Sequence, residues 1–146
     1  MTFGRGFSLI ELLIVILILS VVIGLAIPGY RQYVLRANRS DATTTLLRIA
    51  AAQERFYLQR NRYAANDAEL AGVPPNGLGI EGSERGFYAL SLRSDNPAVS
   101  YVATATPAAG ESQADDSACW RLTVNERGIR AAFNQAGNPN DEVCWR

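Results

Sequence analysis

The chain has 146 residues, with 14 Arg set against 14 Asp and Glu and with neither Lys nor His. Without His it lacks the commonest metal ligand and the usual proton carrier at neutral pH, and without Lys it lacks the amine of Schiff-base chemistry. The balanced charge argues against a role as a general polyanion binder.

The chain opens with a short piece, Met1 to Gly6, whose only charged side chain is Arg5 and which ends on a glycine small enough for a protease pocket. Losing it would leave 13 Arg against 14 acidic residues. Next, Phe7 to Ile27 is a run of 21 residues that holds only Phe, Leu, Ile, Val and Ala apart from Ser8, Glu11, Ser20 and Gly24. As a helix this run is about 32 Å long, the thickness of a bilayer's hydrocarbon core. A secretory signal would place a small-residue cleavage site after the apolar run, whereas here the sequence continues periodically through Pro28, Gly29 and Tyr30. The run is therefore expected to be kept and the piece before it removed.

Glu11 is the only charge in the run. A carboxylate in a membrane helix costs roughly 2.5–3.5 kcal/mol at mid-bilayer, less near an end, so its presence marks a contact. A cut after Gly6 would supply the cation, because the new amino group of Phe7 would sit four residues before Glu11 on the same helix face. The amino terminus of a neighbouring copy is the other candidate, and a plain first-turn preference for negative charge is the third.

Gly6, Phe7, Ser8, Leu9, Ile10 and Glu11, followed by Pro28 and Tyr30, resemble the N-terminus of a type IVa prepilin, of the PilE-like group. The resemblance implies peptidase cleavage between Gly6 and Phe7, N-methylation of Phe7, and a role for Glu11 in joining subunits into a filament. It implies a type IV pilin fold, partners in other pilins, a prepilin peptidase and an inner-membrane assembly platform, and a single-pass inner-membrane location that gives way to an extracellular filament. Adhesion, twitching motility or DNA uptake would be the outcome. A minor pilin or a type II secretion pseudopilin is the alternative within this class; a membrane-tethered periplasmic binding module is the alternative outside it. A mere tether would need neither the Gly6–Phe7 junction nor Glu11.

Beyond residue 27 a soluble domain is expected over 28–146. The helical period continues to about Arg60 with apolar positions at Ala42, Leu46, Ile49, Ala50 and Tyr57. A single helix from Phe7 to Arg60 would be about 80 Å long. Gly24 and Pro28 should kink it or locally melt it, since proline lacks an amide hydrogen and crowds the preceding turn. Residues 61–86 are rich in Asn, Pro and Gly and read as a surface loop with one short helix, Asp67 to Ala71.

Residues 87–133 alternate as four strands. The expected inward sets are Tyr88, Leu90 and Leu92; Tyr101, Ala103 and Ala105; Trp120, Leu122 and Val124; and, after a turn at Asn125-Glu126-Arg127-Gly128, Ile129, Ala131 and Phe133. A four-stranded antiparallel sheet covered by the amphipathic half of the long helix gives an α+β domain. Cys119 and Cys144 are expected to pair, because a segment carried past a membrane anchor enters an oxidising compartment and neither C-x-x-C spacing nor a histidine partner favours a metal. The cross-link would add about 3.5 kcal/mol and hold a Gly-, Asn- and Pro-rich tail, 134–141, with no core of its own.

No catalytic residue, cofactor or metal site is expected. Asp115-Asp116 and Asp141-Glu142 read as solvated acidic pairs in preference to a calcium site. DNA is a partner that the charge pattern does not favour, because Arg31, Arg36, Arg39, Arg48, Arg55, Arg60 and Arg62 spread around the helix in place of one stripe and read as a solvated face.

Overall fold

The computed structural model describes residues 8–145, apart from the side chains of Leu25, Ala26 and Pro28. The expected leader, Gly6 and Phe7 lie outside the described residues. Helix α1 (Leu9–Arg60) passes through two compact units, Met1–Val34 and Leu35–Arg146. It is helical throughout, Gly24 and Pro28 included, so the described chain has no melted turn at those positions.

In the second unit the helix continues into a domain with α2 (Asp67–Ala71), the strands β1 (Tyr88–Arg93), β2 (Val102–Pro107), β3 (Arg121–Asn125) and β4 (Arg130–Phe133), and a last short helix α3 (Asp141–Cys144). Two 3-10 turns, Ser112–Asp115 and Ser117–Cys119, lie between β2 and β3. The strands form one antiparallel sheet in the order β1-β2-β3-β4. Leu46 and Ile49 of α1 join Tyr88, Leu92, Ala103, Leu122 and Val124 in a single buried cluster, so the α+β layout expected from the periodicities is the one that forms. Cys119 precedes β3 in the second 3-10 turn, and it is bonded to Cys144.

The inward faces of β1, β2 and β3 follow the sequence pattern, with Leu90 and Trp120 only partly buried. The fourth strand does not. Ala132 is fully buried and Ile129 is 55% exposed, the reverse of the alternation expected for β4. The turn explains the shift. The Gly128 amide donates to the Asn125 carbonyl and the Asn125 amide to the Ile129 carbonyl, with Gly128 at φ 70. Asn125 therefore faces Ile129 across a three-residue loop, and Leu122 faces Ala132. Residues opposite one another share a face, so moving the register by one position exchanges the whole set.

Residues 61–86 are less of a surface loop than their composition suggests, since Ala64, Leu70, Leu78 and Ile80 are buried. The segment satisfies its own backbone: the amides of Leu78, Gly79 and Ile80 donate to the carbonyls of Glu69, Gly72 and Leu70. Asn66 caps α2 by accepting from the Glu69 amide, and Arg62 grips the Glu69 carboxylate at 2.6 Å and holds it below the usual carboxylate range. At Gly77 a Cβ would run into the Gly72 carbonyl, which requires glycine there.

Candidate functional site

The first unit carries the residues on which a filament would depend. Ser8 starts the helix by accepting from the Leu12 amide, and Glu11 lies in the first turn of α1, exposed. Around it the described side chains from Leu9 to Ile23 are open on every side of the helix, with Leu9 84%, Leu13 64% and Leu17 64% exposed. The one hydroxyl at mid-length, Ser20, satisfies itself by donating to the Leu17 carbonyl at 2.7 Å. No stripe of this helix is set apart for its own domain. A helix apolar all round finds its partners in lipid or in other protein chains.

Within the second unit, α1 buries a stripe at Leu35, Asn38/Arg39, Ala42, Thr45/Leu46, Ile49, Ala52/Gln53 and Phe56. Its polar members make specific bonds. Arg39 holds the Asp116 carboxylate through Nε and Nη2 at 2.7 and 2.9 Å, and Nη1 donates to the Val143 carbonyl at 3.4 Å. Asp41 accepts from the amides of Arg85 and Phe87. Gln53 both donates to the Ala64 carbonyl and accepts from the Ala64 amide.

Arg39 and Asp116 are therefore a buried pair and not parts of a solvated face and a solvated loop, as their sequence surroundings suggest. Their signal was positional: Asn38, Arg39, Asp41, Thr45 and Gln53 fall on or beside the spacing of Leu35, Ala42, Leu46 and Ile49. Asp141 is also engaged, accepting from the Ala132 amide, so neither acidic pair stands free in solvent. Among the described residues no cluster of acidic and cysteine side chains has the arrangement of a metal site.

The tail is tied down by more than its cross-link. The Asn140 amide donates to the Ala132 carbonyl, the Gln135 amide to the Ser117 carbonyl, and the Trp145 indole to the Ala131 carbonyl at 3.0 Å. Phe133 and Pro139 form a bridge. Residues 134–141 thus extend the β4 edge, which the reading of a tail held only by its disulfide did not anticipate.

The sheet's outer face carries Ala89, Ser91, Arg93, Val102, Thr104, Thr106, Arg121, Thr123, Asn125, Ala131 and Phe133, with no carboxylate among these strand positions. The Arg121 guanidinium lies 4.4 Å from the centre of the Phe133 ring, and that of Arg130 5.5 Å from Trp145.

Comparison with known proteins gives this geometry a family. Residues 2–27 match the prokaryotic N-terminal methylation motif, and residues 28–123 match the family described as type IV minor pilin ComP, DNA uptake sequence receptor. The chain belongs to the type IV pilins. Among its relatives, the major pilin protein PilA of Myxococcus xanthus is 35% identical over 51% of this chain and 34% of its own length. The major pilin protein PilE1 of Neisseria gonorrhoeae is 29% identical over 85% of this chain and 66% of its own. The chain thus spans between a third and two-thirds of these relatives. The minor pilin PilV of Neisseria meningitidis shares the fold, with a TM-score of 0.51 at 22% identity over 70% of this pilin and 89% of PilV.

Proposed function

We propose that this pilin is a non-catalytic subunit of a type IV pilus. The observation that carries the reading is the apolar half of α1, open on all sides and bearing Glu11 as its only charge, joined to a domain that closes its own core. In this reading a prepilin peptidase cuts between Gly6 and Phe7, Phe7 is N-methylated, and Glu11 meets the resulting amine of its own or a neighbouring subunit. Before assembly the helix lies in the inner membrane with the globular domain in the periplasm. A membrane platform then moves subunits into an extracellular filament. Gly24 and Pro28 are the positions where the helix can open during packing, since neither supports a strong helical turn.

The match to a family described as minor pilins favours a low-abundance subunit over the main one. Mass spectrometry of sheared surface filaments tests both points: the chain should be present, at low stoichiometry, beginning at methylated Phe7. Its absence from filaments removes the proposal.

A second reading, DNA binding, is favoured by the same family description and by the carboxylate-free outer face with Arg121. Phosphate contacts require arginine or lysine, and each one lost lowers the salt dependence of binding by roughly one unit of slope. Fluorescence anisotropy with a labelled duplex at several salt concentrations checks it. Arg121→Ala should weaken binding, and equal affinity of the variant and the parent would dismiss this face.

A further inference from the structure

One guanidinium reaches both segments that carry the cysteines. Arg39, 7% exposed on α1, grips Asp116, three residues before Cys119, and donates to the carbonyl of Val143, immediately before Cys144. Gln113 closes the arrangement, its side-chain amide donating to Asp116 at 2.9 Å and to the Leu35 carbonyl at 3.2 Å. Asp116 is 3% exposed, so the pair is desolvated and its loss would leave a buried charge without a counter-ion. The other ties between the two segments, Gln135 to Ser117 and Asn140 to Ala118, do not involve α1. Arg39 is the contact that references both segments to the helix.

We propose that Arg39 is a positioning residue for formation of the Cys119–Cys144 disulfide, holding the two thiols in register before they are oxidised. The chemistry is thiol–disulfide exchange with a small-molecule disulfide. One cysteine thiolate attacks that disulfide, forming a mixed disulfide and releasing one small thiolate. The second cysteine thiolate then attacks the protein sulfur, forming the Cys119–Cys144 bond and releasing the other. The protein pair loses two electrons and two protons, and the small disulfide is reduced to two thiols. The second step is intramolecular, so its equilibrium depends on the effective concentration of one cysteine at the other. That concentration is what Arg39 raises, by restricting both segments while the bond is still open.

The test uses the full chain in detergent micelles, equilibrated with mixtures of reduced and oxidised glutathione, trapped by alkylation and weighed. The variants are R39M, which keeps the length of the side chain and removes its charged bonds, and D116N, which alters one atom and serves if R39M does not fold. R48M, in which an exposed pair to Glu84 is lost, is the control. Hydrogen exchange of the β2 and β3 amides is read on the reduced form of each.

The expected result is an effective concentration at least about tenfold lower in R39M, lower to a smaller degree in D116N, and unchanged in R48M, with sheet protection retained in the reduced variants. An unchanged effective concentration in R39M overturns the proposal. So does a parallel loss of sheet protection in both R39M and D116N, because Arg39 would then support the whole core and not the register of the thiols.

Discussion

Gln53, in the middle of α1, makes a two-way hydrogen bond with the backbone of Ala64: its Nε2 donates to the carbonyl at 3.0 Å and its Oε1 accepts from the amide at 2.8 Å. Both residues are fully buried. The side-chain amide substitutes for a strand neighbour and fixes the chain's return after the helix ends at Arg60. Gln53→Leu keeps the bulk but leaves a buried N–H and a buried C=O without partners, at about 1–3 kcal/mol for each orphaned group. Urea denaturation followed by tryptophan fluorescence should show a loss of about 2–4 kcal/mol.

The placement of β4 predicts opposite responses at two neighbouring apolar positions. Ala132 is fully buried against the core and Ile129 is 55% exposed. Ala132→Leu should cost about 1–3 kcal/mol by overpacking. Ile129→Thr should stay within about 0.5 kcal/mol of the parent. Thermal melts of the two variants measure this, and a larger cost at Ile129 would mean the other register.

Two tyrosines should resist ionisation. Burial, with Asp116 adding to it, pushes the Tyr88 hydroxyl well above the ordinary tyrosine value, and burial, aided by Glu54, does the same at Tyr101. The unfolded chain releases these protons near pH 10, whereas the folded chain keeps them. Above that pH the folded state binds more protons than the unfolded one, so stability is fully present below about pH 10 and falls as pH rises beyond it. Absorbance titration should show these two of the six tyrosines ionising last, together with loss of the folded circular dichroism signal.

Glu11→Ala separates processing from assembly. The substitution removes a charge from an apolar helix, so membrane insertion should be unimpaired or improved. The variant should be cleaved and found in the membrane, yet be absent from sheared filaments; a normal filament yield would leave Glu11 without an assembly role.

Much of the fold was legible because its signals are local. The short helix Asp67–Ala71 was readable from its composition, and β1 through β3 from alternation, since neighbouring side chains on a strand must point to opposite faces. The same alternation misplaced β4. Its parity depends on how many residues the preceding turn takes, and a left-handed Gly128 made that number three. The arginines of α1 looked alike in sequence, yet only the tertiary fold distinguishes Arg39, which meets a carboxylate 77 positions away, from Arg48, whose pair with Glu84 is exposed.

By itself the sequence determined the apolar run with its single charge, the length of the helix that follows, and the layering of helix on sheet. Those features depend on composition and short periods, which no distant contact can alter. The tertiary structure decided which polar side chains enter the core, which face β4 presents, and how the tail is held. Each of these requires two segments far apart in the chain to satisfy one another's hydrogen bonds, and no local pattern specifies the partner.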